Sequence, residues 1–334
     1  MLDFAKRVTV VMTVKNDPAG CRLTLSSLLR QTRPPDEIVV VDGGSTDETA
    51  DVVRQFRSAN PPVRLIVSPG ANIAAGRNIG TQAAVGEIVA TTDAGCRAAP
   101  DWLANLVKPF DEDPSAEFVA GLYRVEGHTL FETVVGLTTM RGQLGPVCPE
   151  TFNPSGRSLA YTKAVWSRAG GWPEWVDFSE DTLFDHKMRR LNVQWRFAGN
   201  AVVDWRPRRS LHALAKQFYH YGTGRGHTQI GAADFAYNLR NLAATLVTLA
   251  ACLVTRWAIP LVLVVWAYFY VWTFHQKAVE IVRHTRRRTA YPLCLCVTWV
   301  VLFSNLTGYL VGTWQRWIDR DRYQHRMRAY LGAL

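Results

Sequence analysis

The sequence lacks the motifs of several common nucleotide-binding and metal-binding folds. It contains no GxxxxGK[ST] loop and no GxGxxG after its first predicted strand, so neither a P-loop enzyme nor a dinucleotide-binding fold is indicated. Its six cysteines include no CxxC pair and no Cys/His cluster at zinc spacing. This pattern is typical of reduced, mostly buried thiols in a protein that faces the cytosol.

Acidic residues are scarce in the C-terminal part of the chain. Residues 189–334 hold 20 Lys and Arg but only five Asp and Glu, whereas residues 1–188 hold 18 and 23. The excess positive charge of the chain therefore lies beside long apolar segments, which fits an anionic membrane surface better than a nucleic acid. We expect a membrane as a partner and no nucleic acid. The first twelve residues, MLDFAKRVTVVM, also lack the pattern of a cleaved signal peptide.

Three uncharged segments follow one another near the C-terminus, at residues 241–255, 257–274 and 289–315. As helices they would be about 22, 27 and 40 Å long, against a hydrocarbon core of about 30 Å. Trp and Tyr near the segment ends favour a membrane over a buried helical bundle, which is the alternative. We predict that residues 236–334 form a membrane region of two to three apolar helical segments with basic flanks. The expected location is the cell membrane, multi-pass, with the catalytic domain facing the cytoplasm.

The N-terminal part has the pattern of an α/β fold. Apolar, β-branched runs at residues 8–14, 37–42, 63–67 and 86–93 predict buried strands, and stretches with helical apolar spacing separate them. Strands that alternate with helices predict a doubly wound, mostly parallel sheet. We assign residues 1–235 to this domain.

Polar clusters follow three of the predicted strands. Their sequences are Lys15-Asn16-Asp17, Asp42-Gly43-Gly44-Ser45 and Asp93-Ala94-Gly95. A single Asp after a strand is more often a turn or cap residue than a ligand-binding one. In a parallel sheet, however, all three clusters emerge at one edge, where they form an acidic, glycine-rich cleft suited to a base and a ribose. Arg77 supplies a cation for phosphates.

These residues resemble the inverting family 2 glycosyltransferases, whose fold is the GT-A nucleotide-sugar-binding fold. The resemblance covers residues 8 to about 230 and rests on the ordered motifs VTVVMTVKND, EIVVVDGGSTDET, AAGRNIG, ATTDAGC with DWL after it, and FSEDTLFDHKMRRLN. It implies that Asp17, Asp42 and Arg77 hold the nucleotide diphosphate. It also implies that Asp93 occupies the DxD position beside the ribose and a metal.

The sequence departs from the family pattern at the third position of DxD, which is Gly95 instead of an acid. A hard divalent ion prefers oxygen ligands and keeps several waters, so one carboxylate together with phosphate oxygens can suffice. We therefore expect a divalent cation, Mg²⁺ or Mn²⁺, with Asp93 as its protein ligand, and the departure at Gly95 leaves its affinity open.

The motif FSEDTLF contains Glu180 and Asp181, which we predict to be the catalytic pair. Inverting transfer needs a base that removes the proton from an acceptor hydroxyl, and a carboxylate is the usual group. The alternative is that Ser179, Glu180 and Asp181 cap the helix that follows, since acids suit the first turn. Given the upstream motifs, we favour Asp181 as the base.

Two further groups of residues have a simpler structural explanation beside a functional one. Trp172 and Trp175 either pack or stack on a sugar ring, and packing is favoured. A helix near residues 211–225 is predicted to be interfacial, with FYHYGTGRG resembling the corresponding stretch of exopolysaccharide-type members. Its polar side chains suit the acceptor or the pyrophosphate side of the site equally well; they are Gln217, Tyr219, His220, Tyr221 and Arg225.

The predicted function is transfer of a sugar from a nucleotide-diphosphate sugar to a hydroxyl of a membrane-bound acceptor, either lipid-linked or a polysaccharide. One alternative is transfer to a polyprenyl phosphate, which is already an anion and needs no base. Another is a non-catalytic nucleotide-sugar-binding scaffold subunit.

Overall fold

The computed structural model describes most of the chain, and its contacts divide the chain into two compact units. The described residues are 6–140, 144–145, 147–149, 152–236, 239–240, 243, 246–247, 250, 255 and 259–332. The first unit comprises residues 1–124, 148–206 and 324–334, and the second comprises residues 125–147 and 207–323.

An eight-stranded sheet forms the centre of the first unit. Its strands are β1 (Val8–Val14), β2 (Glu37–Asp42), β3 (Val63–Val67), β4 (Ile88–Asp93), β5 (Cys96–Ala98), β6 (Phe118–Val125), β7 (Leu159–Thr162) and β8 (Trp195–Trp205). Their spatial order is β3-β2-β1-β4-β7-β6-β8-β5. The pairs β3–β2, β2–β1 and β1–β4 are parallel, whereas β7 pairs antiparallel with both β4 and β6. The predicted parallel-dominant α/β sheet is confirmed.

The principal helices lie between and after these strands. In chain order they are α1 (Pro18–Leu28), α2 (Thr49–Arg54), α3 (Ile73–Ala83), α4 (Trp102–Glu112), α5 (Leu130–Thr139), α6 (Lys163–Ala169), α7 (Glu180–Arg190), α8 (Leu211–Thr228), α9 (Ile259–Tyr270), α10 (Gln276–Thr285), α11 (Ala290–Ile318) and α12 (Arg320–Leu331). A π-helical turn at Val271–His275 joins α9 to α10.

The core of the first unit explains why β1 and β2 are nearly continuous apolar runs. Every residue of β2 is buried, and six of the seven residues of β1 are buried, because helices cover both faces of the parallel sheet. Apolar residues of α1 and α4 pack against one face. Helix α3 comes very close to β1, since a Cβ at Gly80 would collide with Val11 and one at Gly76 would meet Thr13. This close approach brings Arg77 to the carboxyl end of the sheet.

Glycines also determine the packing of the second unit. A Cβ at Gly308 or Gly312 in α11 would collide with backbone atoms of α8, and one at Gly222 in α8 would collide with the backbone of α11. Small residues spaced four apart allow two helix backbones to touch in this way. Helix α8 therefore packs closely against α11. The predicted domain boundary at residue 235 stays a prediction.

One described helix is long and apolar enough to cross a membrane, by length and composition. It is α11, with 29 residues and a mean hydropathy of 1.8 over its most apolar window. The predicted apolar segment at residues 241–255 lies largely outside the described residues. The segment at 257–274 is described from residue 259 onward and is helical there. The number of membrane-spanning helices stays a prediction.

The C-terminal residues of α12 belong to the first unit. The Tyr330 hydroxyl donates a hydrogen bond of 2.8 Å to the carbonyl of Gly171, and Lys187 donates to the carbonyl of Tyr330. The first unit is therefore discontinuous in sequence, and truncating the chain near Arg225 would remove part of its packing.

Candidate functional site

The three predicted aspartates lie at the carboxyl edge of the parallel strands. In the register of β1 with its neighbours, Thr13 pairs with Asp93 and Val14 pairs with Asp42. Asp17 follows three residues after β1 and is the N-cap of α1. The polar clusters therefore lie together, as expected for strands that run parallel.

Asp42 presents one satisfied and one unsatisfied carboxylate oxygen. Its Oδ1 accepts hydrogen bonds from the backbone N–H groups of Gly44 and Ser45, at 3.0 and 2.8 Å, and from the Ser45 hydroxyl. Its Oδ2 is buried and has no hydrogen-bond partner among the described residues. A buried oxygen without a donor is costly, so this atom is suited to accept an N–H or O–H from a ligand.

The backbone explains why position 95 is a glycine. Gly95 has φ of +85°, a conformation that favours glycine, and its N–H donates to the Thr24 hydroxyl at 3.1 Å. A Cβ built there would lie 3.6 Å from Oδ2 of Asp17. An acid at this position would therefore be strained and would face a like charge. Asp17 itself caps α1, with Oδ1 accepting from the N–H of Gly20 at 2.9 Å.

Arg77 joins the donor-side acid Asp93 to the predicted catalytic pair. Its two terminal nitrogens donate to Oδ1 of Asp93 at 2.8 Å and to Oε1 of Glu180 at 2.9 Å. Only 3% of its side chain is exposed. Burial lowers the pKa of Arg77, but the carboxylates of Asp93 and Glu180 outweigh burial and hold that pKa above its ordinary value. The guanidinium predicted to bind phosphate thus pairs with two carboxylates, and its contact with phosphate stays a prediction.

Aromatic packing fixes the position of the Arg77 guanidinium. It lies over the ring of Trp172, 4.6 Å from the ring centroid, and that ring stacks on Phe184 at 4.0 Å. The Trp172 indole N–H donates to the Tyr161 hydroxyl at 3.0 Å. Trp172 is 1% exposed, so it packs, as favoured from the sequence. The backbone of Gly156 closes the other side, where a Cβ would collide with the guanidinium.

Asn78 is a residue that the sequence analysis did not single out. Its Oδ1 accepts from the Trp172 backbone N–H at 2.7 Å and from the Trp166 indole at 3.0 Å. Its amide donates to Trp172 and Glu174. Asn78 follows Arg77 in the motif AAGRNIG, which was the available signal. Arg77 and Asn78, which are adjacent in α3, together anchor the GGWPEW loop through Trp172.

The acids at the start of α7 differ in environment. Glu180 is buried and bonded to Arg77, whereas Asp181 is half-buried, with Oδ1 accepting from the N–H of Thr182 at 2.8 Å. The Ser179 side chain makes no capping bond. Burial, and then the adjacent Asp181 carboxylate, raise the pKa of Glu180 to about 7 against the opposing effect of Arg77. Asp181 is thus the member of the pair that a substrate can reach more easily.

The carboxylates of the site suit a divalent cation that is bound mainly by oxygens of the substrate and of water. Among the described residues, no cluster of three or more His, Cys, Asp and Glu can hold a metal ion. One oxygen of Asp93 is bonded to Arg77, and the other, Oδ2, lies 4.0 Å from Nε of Arg157. A divalent ion bound by one carboxylate, waters and substrate phosphates fits this donor set.

The predicted residues of α8 lie in the second unit. Gln217 is buried and donates to the Tyr221 hydroxyl at 2.9 Å. Arg225, one helical turn after Tyr221, has its guanidinium 5.9 Å from the ring centroid of Phe235. Their role at an acceptor site stays a prediction.

Comparisons with known proteins show the family of this chain. Residues 9–157 match the model of the family described as Glycosyl transferase family 2. Glycosyltransferase AglE of Haloferax volcanii is 31% identical over 230 residues, which cover 65% of this chain and 72% of that relative. Glucosyl-dolichyl phosphate glucuronosyltransferase of the same organism is 32% identical over 157 residues, 45% of this chain and 50% of the relative. The chain spans only about a third to just over half the length of several curated relatives that it matches.

A solved structure has the same fold. The mannosyltransferase PcManGT from Pyrobaculum calidifontis, in complex with GDP-Man and Mn²⁺, superposes with a TM-score of 0.58 over 94% of this chain and 89% of that one, at 21% sequence identity. The fold of the sheet-containing part is therefore the GT-A fold.

The raised pKa of Glu180 generates a prediction about stability. Because the folded-state pKa of about 7 exceeds the ordinary value of 4.5, the folded protein binds the proton more tightly. This contribution to stability is complete below pH 4.5 and is lost as the pH rises to about 7. Relative to Glu180→Gln, the free energy of unfolding of the wild type should fall by on the order of 1–3 kcal/mol across this window. Chemical denaturation at several pH values measures it.

The control for this experiment is Glu174→Gln, because Glu174 is exposed in the preceding loop. That variant should keep the pH dependence of the wild type. If the free energy of unfolding changed with pH in the same way for the wild type and Glu180→Gln, the pKa of Glu180 would not be raised by folding.

Proposed function

The chain belongs to glycosyltransferase family 2, and we propose that it transfers a sugar, with inversion, from a nucleotide-diphosphate sugar to a hydroxyl of a membrane-bound acceptor. The observation that carries the proposal is the pair of ion pairs made by Arg77. They link Asp93, at the sheet edge where α/β folds bind nucleotides, to the acids at the start of α7. A donor site and a base must adjoin in a transferase, and this link holds them in one fixed arrangement.

The donor is held at the carboxyl edge of the sheet. The unsatisfied Oδ2 of Asp42 accepts an N–H or O–H of the nucleoside, which removes the cost of its burial. Asp17 lies beside the Asp93-Ala94-Gly95 turn, where the glycine leaves room for the donor. Asp93 would hold a divalent cation, Mg²⁺ or Mn²⁺, and when bound this cation would neutralise the charge that develops on the leaving diphosphate.

The transfer step uses Asp181 as the general base. Asp181 removes the proton of the acceptor hydroxyl while the acceptor oxygen forms a bond to the anomeric carbon. The bond from that carbon to the diphosphate oxygen breaks, and the nucleoside diphosphate leaves with the electron pair. Glu180 stays bonded to Arg77 and holds the first turn of α7 in position.

A second candidate acceptor is a polyprenyl phosphate. One relative, 32% identical over 32% of this chain, is named for undecaprenyl phosphate. The name of the glucuronosyltransferase relative instead specifies glucosyl-dolichyl phosphate, a lipid-linked sugar. A phosphate acceptor is already an anion and needs no base, so the acids Glu180 and Asp181 favour a hydroxyl of a lipid-linked or polysaccharide acceptor. A non-catalytic scaffold subunit is the third candidate, and hydrolysis of a nucleotide sugar by the purified protein would exclude it.

We propose that the protein is bound to the cell membrane with its catalytic domain facing the cytoplasm. The 29-residue apolar helix α11 and the basic residues that flank the apolar segments support this location. The multi-pass arrangement rests on the segments at residues 241–255 and 257–274.

Membrane attachment of this kind should resist salt. Burial of an apolar helix outweighs screened charge attraction, so the full chain should stay in the membrane pellet at 1 M salt, where screening acts over about 3 Å. Immunoblots of the pellet and the supernatant after salt and after detergent extraction measure it. Release by salt alone would exclude a spanning helix.

Replacing the proposed base tests the catalytic assignment. Asp181→Asn keeps the size of the side chain and an oxygen that can accept the Thr182 N–H, but it removes nearly all basicity. Transfer should fall by at least about 100-fold, because general-base catalysis contributes at least that much, while donor affinity stays within about 2-fold. The donor is first chosen by a thermal-shift screen of nucleotide sugars. Incorporation of its labelled sugar into membrane extract then measures transfer.

Asp177→Asn is the matched control, since Asp177 is an exposed acid in the loop before α7. It should transfer at the rate of the wild type. Folded Asp181→Asn protein that transfers sugar at nearly the wild-type rate would remove Asp181 from the mechanism and favour a phosphate acceptor.

A further inference from the structure

A second arginine lies against the same carboxylate as Arg77. Oδ1 of Asp93 accepts from Arg77, and Oδ2 lies 4.0 Å from Nε of Arg157. Asp93 thus has a guanidinium group near each of its two oxygens. Arg157 follows Gly156, whose backbone lies on Arg77, so the chain brings both arginines to the carboxylate from adjoining positions.

The surroundings of Arg157 hold its guanidinium in place. It lies 4.9 Å from the ring centroid of Trp205 and 5.8 Å from that of Tyr123, and its Nη1 donates to the Ser155 hydroxyl at 3.1 Å. The next residue, Ser158, is fully buried and bonded to Trp102. An arginine stacked on aromatic rings loses little further freedom when it binds an anion.

Gly95 and Arg157 are connected through one strand pair. Cys96, the residue that follows Gly95, pairs with Trp205, and the Arg157 guanidinium lies over the Trp205 ring. At Gly95 the chain lacks a second acid, and its positive φ disfavours one. The cleft therefore has less negative charge to hold a metal ion than a DxD site would have, and it has an additional cation beside the remaining acid.

Arg77 and Arg157 differ in how a ligand can reach them. The Arg77 side chain is 3% exposed and is bonded to two carboxylates, whereas 15% of the Arg157 side chain is exposed. A guanidinium group binds phosphate oxygens through two parallel hydrogen bonds. Arg157 is therefore the arginine beside Asp93 that an incoming diphosphate can contact.

We infer that Arg157 binds the terminal phosphate of the donor diphosphate beside Asp93 and supplies positive charge that a metal ion held by a complete DxD motif would supply. This inference rests on the proposed nucleotide-sugar donor. It assigns Arg157 as a phosphate-binding residue. It also predicts that donor binding depends less on a divalent cation than it would with a complete DxD motif. The arginine provides the terminal phosphate with charge-assisted hydrogen bonds, so a diphosphate should bind without added metal.

Calorimetry with nucleotides tests the inference in the full-length protein. GDP, GMP, UDP and UMP are titrated in EDTA and in Mn²⁺. In EDTA the wild type should bind one diphosphate more tightly than the matching monophosphate. Arg157→Gln should weaken diphosphate binding by about 10-fold or more, the size of a lost charge-assisted hydrogen bond, and leave monophosphate binding nearly unchanged. Arg157→Lys should restore part of the loss.

The response to metal provides a second readout. Because Mn²⁺ can replace the lost charge, it should tighten diphosphate binding more in Arg157→Gln than in the wild type. Arg168→Gln is the matched control, since Arg168 pairs with Glu117 and should behave as the wild type. Thermal unfolding of each variant checks that the fold is intact.

The outcomes separate this inference from the proposed function. If the wild type binds diphosphates and Arg157→Gln binds them equally well in EDTA, the inference is wrong and the proposed donor stands. If Arg157→Gln weakens monophosphates as much as diphosphates, Arg157 acts through the fold and the inference is also wrong. If the wild type binds no nucleotide even in Mn²⁺, the proposed donor itself is wrong, and the inference fails with it.

Discussion

The Arg77 guanidinium is buried between carboxylates from two different elements, Asp93 at the end of β4 and Glu180 at the start of α7. A buried guanidinium without partners would cost several kcal/mol, so the packing around it must keep both carboxylates in place. Trp172 and Gly156 enclose the group from two sides. The elements that carry these residues are thereby set at fixed distances from the edge of the sheet.

The same arrangement sets the electrostatics of the site. Asp93, Glu180 and Asp181 surround one arginine, so their negative charge exceeds the positive charge that pairs with it. Burial, and then the adjacent Asp181 carboxylate, raise the pKa of the buried member, Glu180, to about 7. Asp181 is the more accessible acid, and it is the one that we propose as the base. Arg157 adds a cation on the other side of Asp93, where a diphosphate would need it.

Much of the fold was predictable because local patterns determine it. The apolar runs of β1 and β2 predict buried parallel strands, and parallel strands carry the polar residues that follow them to one edge. The pairing of Arg77 was not predictable, because its partners Gly156, Trp172 and Glu180 are between 79 and 103 residues away in sequence and meet only through tertiary packing. Arg157 was missed because a polar loop before a strand carries no spacing signal. The packing of α8 against α11 depends on close backbone contacts at glycines, and a hydropathy pattern does not reveal such contacts.

Through its two ion pairs, Arg77 couples Asp93 to the acids of α7. A double-mutant cycle with Asp93→Asn, Glu180→Gln and the double variant measures this coupling as nucleoside diphosphate affinity by calorimetry. Because both acids share one guanidinium, the effects should be non-additive by at least about 0.5 kcal/mol, as is usual for residues in one ion-pair network. Effects that add within about 0.3 kcal/mol, the range for independent sites, would show that the two carboxylates act separately and that Arg77 does not couple them.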